Sequence, residues 1–232
     1  MFNAKSLLDS LTGGQGLQGL SGGAKGLGDK AKEGWNNQST LGKGAIAGGL
    51  LGLLFTGGGR KMLETGVKVG GAALIGGLAY KAYSDWKAGK EPQAEPPAAL
   101  PSPQGTVFLP SDPVAANDLS GRVLRAMVAA AKADGHVTAD ERARIDGALP
   151  QLGLGAEAEA LIRAELDAPL DVRRVAQLAR SEEEAAEIYA ASLLVCDEQS
   201  LEEKGYLAML AAALNLDEGL VKHLNAKAAA LV

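Results

Sequence analysis

The 232-residue sequence holds one cysteine, two histidines and nine aromatic residues. With Cys196 alone, no intramolecular disulfide and no thiolate metal cluster can form. So few rings leave base or sugar stacking without a platform. The net charge of −5 argues against a nucleic-acid partner, because a duplex binder needs a concentrated basic face. The opening residues MFNAKSLLDSL lack the continuous apolar core and cleavage site of a signal peptide. No segment alternates with the period of two that a strand requires. Phosphate-loop chemistry is absent as well, since GGLLGLLFTGGGRK lacks the Gly-Lys-Ser/Thr ending. There is no nucleophile elbow and no supported Ser-His-Asp order. No catalytic residue is assigned.

What is present changes character near residue 90. Residues 1–90 hold 23 of the 31 glycines and a net charge of +6; residues 91–232 carry −11. A basic, glycine-rich, partly apolar front joined to an acidic, Ala/Leu/Glu-rich back suggests a membrane-associated segment tethered to a helical domain. The basic front suits anionic lipid.

Four regions follow: a Gly-rich leader over 1–40, a membrane-associated helical segment or hairpin over 41–88, a Pro-rich linker over 89–116 and a helical domain over 117–232. Gly44–Gly59 and Val69–Tyr80 are uncharged. A helix of the first length reaches roughly 24 Å, short of the roughly 30 Å hydrocarbon core, so it is a marginal span. Tyr80, Tyr83 and Trp86 suit an interfacial belt. Gly44, Gly48 and Gly52, and again Gly66 and Gly70, fall four apart. That spacing lets helices approach closely in lipid and raises the prospect of a homo-oligomer. The alternative is a Gly-rich linker with accidental apolar clusters.

The linker holds seven of the nine prolines between residues 89 and 113. It reads as a semi-extended spacer that keeps the halves mechanically separate. Val107-Phe108-Leu109 is an apolar island that either docks on the domain or stays solvated.

Beyond Asn117 the period is helical, with Leu119, Val123, Met127 and Ala130 on one stripe. Thr138–Glu141, Ser181–Glu184 and Ser200–Glu203 read as capping boxes, and Asp217 caps a last helix. The expected fold is all-α, with a domain of about seven helices. Two helix–loop–helix units echo each other: Ala131–Ile145 and Leu194–Leu207. Each has an aspartate ending one helix, a hydroxyl cap and a glutamate three residues later.

The stretches AAAKADGHVTADERARI and LLVCDEQSLEEKGYLAMLAAALNL resemble the TerB-like domain linked to tellurite resistance. The match spans roughly residues 115–232. With the Gly-rich apolar front, the whole is similar to the YebE-like bacterial inner-membrane proteins. The resemblance implies an all-helical, pseudo-symmetric core, an acidic metal site and a link to envelope or metal stress. The matching positions are Asp134, Asp140 and Glu141 in the first unit, and Asp197, Glu202 and Glu203 in the second. Carboxylates favour Ca2+ or Mg2+, although the spacing is not that of an EF-hand loop. The same residues also have a purely structural reading, as helix ends and caps beside positive helix N-termini. His136, beside Asp134, reads first as a solvated loop histidine, and Cys196 as a buried small hydrophobe.

The functional expectation is a non-enzymatic, membrane-anchored scaffold or sensor at the bacterial inner membrane, with lipid and unidentified proteins as partners. Two alternatives stand beside it. One is a metal-dependent enzyme whose paired acidic motifs converge. The other is a membrane protein that self-assembles through its glycine-spaced helices.

Overall fold

A computed structural model of the chain describes residues 4–5, 71–94, 100–133, 139–148, 156–196 and 200–229. Among these, eight helices and no strand are present, so the all-α expectation holds. They are α1 (Gly71–Lys87), α2 (Pro113–Ala130), α3 (Ala139–Ala148), α4 (Ala156–Asp167), α5 (Val172–Ala176), α6 (Glu182–Leu193), α7 (Leu201–Ala213) and α8 (Glu218–Ala229).

Local chemistry sets several helix starts. Asp112 Oδ1 accepts from the Ala115 N–H at 2.7 Å, and Pro113 pre-sets φ at the first helical position of α2. Asp171 caps α5, and Ser181 and Ser200 cap α6 and α7 through the N–H groups of Glu184 and Glu203. Asp217 Oδ1 accepts from the Gly219 N–H at 2.7 Å at the start of α8. Asn215 takes the left-handed conformation in the α7–α8 turn, with φ 54°, a region asparagine tolerates better than most residues.

α6 is the central element and packs against α1, α2, α7 and α8. Two candidate stripes compete for its inward face, Ala185–Tyr189–Leu193 and Ile188–Ser192–Val195. Both are buried. A helix enclosed on all sides has no outward stripe to reveal in its sequence.

The largest departure from expectation concerns α1. Its residues fall inside the second apolar stretch, read from composition as membrane-associated. Leu74, Ile75, Leu78, Ala79 and Ala82 are buried in the common core instead, against α6 and α8. This face of α1 is covered by protein, which gives no support to a second membrane arm there. Among the described residues no helix is long and apolar enough to cross a membrane. Gly44, Gly48, Gly52, Gly66 and Gly70 lie outside the described residues.

The aromatic belt is likewise an internal feature. Phe108 packs its ring 5.7 Å from Tyr80 and 5.8 Å from Tyr83. Tyr83 donates to Glu182 Oε2 at 2.8 Å, and Trp86 Nε1 donates to Asp217 Oδ1 at 3.0 Å. Thus the apolar island docks: Phe108 and Leu109 are buried while Val107 stays exposed. Two glycines in α1 make room for it. A Cβ on Gly76 would stand 2.6 Å from the Phe108 carbonyl oxygen, and one on Gly77 would stand 3.1 Å from that of Pro101. The Pro-rich segment therefore folds back over α1, and its later part is not a free spacer.

Candidate functional site

The two echoing units lie side by side because α2 packs on α6. Their helices end together. The Cys196 thiol, at the end of the second unit's first helix, reaches the Ala130 carbonyl oxygen at 4.0 Å, across 66 residues of sequence. The loops that follow Ala133 and Cys196 thus leave from neighbouring points on one end of the bundle. The geometry thus sets the ends of the two units' first helices side by side, which sequence spacing alone could not show.

The individual carboxylates fare differently. Asp134 and Asp197 lie outside the described residues, and so do the side chains of Asp140 and Glu141 in α3. Glu202 is exposed, and its Oε2 accepts from the Ser200 hydroxyl at 3.2 Å. Glu203 is buried, while its N–H donates to Ser200 Oγ at 3.2 Å. Neighbouring residues on a helix point about 100° apart, so Glu202 serves the cap and Glu203 faces inward. Burial pushes the Cys196 thiol well above its usual range, and Glu203 adds to that shift. That environment favours the neutral thiol, in keeping with a buried small hydrophobe. Outside this site, His223 is buried between the Gly219 and Lys90 carbonyl oxygens, at 2.8 and 3.0 Å.

Just past the C-terminus of α2 lies a buried polar cluster that the sequence reading missed. Lys132 is buried, and its ammonium donates to the carbonyl oxygens of Glu165 at 2.8 Å, Leu166 at 3.4 Å and Ala168. It closes the C-terminus of α4, where a cation is favoured by the helix dipole. Burial lowers its pKa, and the Glu165 carboxylate works against that effect. Glu165 is buried too and is gripped by both guanidinium nitrogens of Arg174, one at 3.1 Å. That grip raises the Arg174 pKa against the opposing effect of burial. The Tyr206 hydroxyl and Arg174 Nε are buried without a hydrogen-bond partner. One signal was available in the sequence: Lys132 is a lone charge within an alanine-rich helix end, and such a charge is rarely buried without a partner.

A divalent cation needs several hard oxygens on one centre. Among the described residues no group of three His, Cys, Asp or Glu side chains meets. Glu203 is the one expected ligand position that is both described and buried. The remaining donors of a cation site would come from residues 134–141 and 197.

Comparison with known proteins places this arrangement in context. A family model described as a protein of unknown function, DUF533, matches residues 40–228. A protein of Yersinia enterocolitica, described as an uncharacterized protein in the ampR 5′ region, is 36% identical over 97 residues. That alignment covers 42% of this chain and 70% of the Yersinia protein. No solved structure matches the chain.

Proposed function

The chain belongs to the DUF533 family, and on that premise we propose that it is a non-enzymatic, TerB-like scaffold or sensor held at a bacterial inner membrane. Its front attaches to lipid through residues 41–70, and its acidic helix–loop–helix pair takes a divalent cation, Ca2+ or Mg2+. Its place is in envelope or metal stress, tellurite resistance included. The observation that supports the reading is the approach of the Cys196 thiol to the Ala130 carbonyl oxygen, which sets the ends of the two units' first helices beside each other. On this reading Asp134, Asp140 and Glu141 would share a centre with Asp197 and Glu203.

Calorimetric titration of the full chain with Ca2+ and Mg2+ tests the site. Saturable binding is expected, weakened at least tenfold by Asp134→Asn together with Asp197→Asn. Absence of heat with either ion removes the cation from the proposal. Membrane fractionation tests the anchor: a full-length chain that stays soluble without detergent removes the lipid attachment.

A further inference from the structure

α2 is enclosed more fully than its helical neighbours explain. From Leu119 to Ala130 only Gly121 and Arg125 escape full burial. α4, α5 and α6 pack on the helix. A further cover comes from the other end of the chain. Ala4 is 1% exposed, and a Cβ built on Gly121 would stand 3.5 Å from the Ala4 Cβ. The Lys5 N–H donates to Asn117 Oδ1 at 3.3 Å, across 112 residues of sequence.

Asn117 and Gly121 lie one turn apart, on the same face of α2. Gly121 gives a floor on which a second backbone can lie closely. Asn117 supplies an acceptor for a backbone N–H, as a capping side chain does at a helix start. Ala4 and Lys5 are themselves helical. The sequence around them carries apolar residues at Met1, Ala4, Leu7 or Leu8, and Leu11. That three-and-four spacing is how a short helix anchors in a groove.

We propose that the Asn117–Gly121 face of α2 is a docking site for a short apolar-striped helix, occupied by the chain's own N-terminal segment, residues 1–11. In sequence, α2 immediately precedes the first acidic motif. The docking stands whether or not the candidate cation site binds a cation.

A disulfide trap tests it in the full chain. Ala4→Cys and Gly121→Cys are combined with Cys196→Ser and oxidised mildly. The 3.5 Å Cβ separation lies within the roughly 3.5–4.5 Å that a disulfide needs. Most molecules are expected to form a reducible bond within one chain, visible as a faster-migrating monomer. Thiols that remain open to alkylation, or bonds formed only between chains, overturn the assignment. Competition gives a second measure that does not depend on the cysteine variants. A labelled peptide of residues 1–11 is expected to bind full-length Ala4→Arg at least tenfold more tightly than wild type, whose site is filled. Adding Gly121→Phe to Ala4→Arg is expected to abolish that binding. Equal affinity for wild type and Ala4→Arg overturns docking within the chain.

Discussion

Glu187 and Asp85 are both buried acids, and their surroundings give them opposite pH signatures. Glu187 is 3% exposed, and its Oε2 has no hydrogen-bond partner. Burial pushes its pKa well above the usual range, Glu184 adds to this, and Arg122 opposes it. The folded state therefore holds this proton to higher pH than the unfolded chain does. Its contribution to stability is complete below the unfolded value of about 4.3 and is lost as pH rises toward the folded value. Glu187→Gln is expected to raise the melting temperature at pH 8 by a few degrees, on the order of 1 kcal/mol or more, with little change at pH 4. Thermal melts across that range check it, and an equal shift at both pH values would contradict the assignment.

At Asp85, burial alone would raise the pKa. Hydrogen bonds from Lys81, Lys90 and Lys227 reverse this and hold the carboxyl well below its usual range. Its contribution is present above the unfolded value of about 3.9 and lost as pH falls through the folded value. Asp85→Asn leaves three lysine ammoniums without their shared anion, one of them on Lys227, which is 1% exposed. The expected loss is roughly 3–5 kcal/mol at pH 7, shrinking below pH 3, as read by denaturant unfolding. Neither acid stands out in the sequence. A single Asp or Glu in an amphipathic helix looks the same whether neighbouring helices supply three cations or none.

At the scale of elements, glycine has three different meanings here. Gly76 and Gly77 let the segment ending in Phe108 and Leu109 lie on α1. Gly76→Ala is expected to cost roughly 1–3 kcal/mol, because its Cβ would meet a carbonyl oxygen at 2.6 Å. Gly205, in the middle of α7, has nothing within 4 Å of an added Cβ. Gly205→Ala is expected to stabilise by roughly 0.5–1 kcal/mol, through the ordinary helix preference for alanine. Chemical denaturation of the two variants should move the midpoints in opposite directions. Gly121 is the third case, a floor for the N-terminus. Small residues at helical spacing read as membrane packing sites in the sequence. They also suit close backbone approach in a soluble bundle, and spacing cannot distinguish the two.

Across the whole molecule, the compositional break near residue 90 and the boundary of the packed core do not coincide. Leu74, Ile75 and Leu78 are at most 5% exposed. Removing α1 forfeits the burial of these three side chains, about 1.5–3 kcal/mol each. That sum rivals the whole stability of an ordinary domain, about 5–15 kcal/mol. A fragment of residues 71–232 is expected to unfold cooperatively, whereas one of residues 117–232 is expected to aggregate or to melt without a sharp transition. Circular dichroism melts of the two fragments decide it; a cooperative 117–232 fragment would show that α1 is dispensable.

The sequence by itself determined the class and most helix positions. Periodicity, the caps at Ser181, Ser200 and Asp217, and the acidic echo are all local, and local chemistry forms them wherever the helices end up. The inward stripes through Leu119 and Val123, and through Leu220 and Leu224, follow for the same reason. Only the tertiary structure decided what covers each face. It gave α1 to the core, where composition alone suggested lipid, and turned Tyr80, Tyr83 and Trp86 inward onto Phe108, Glu182 and Asp217. It also placed Cys196 beside Ala130 and joined Lys132 to the end of α4 and Glu165 to Arg174. An apolar stripe specifies that something apolar must cover it, but the hydrophobic effect has no direction. The identity of the cover is fixed only when all the helices have packed.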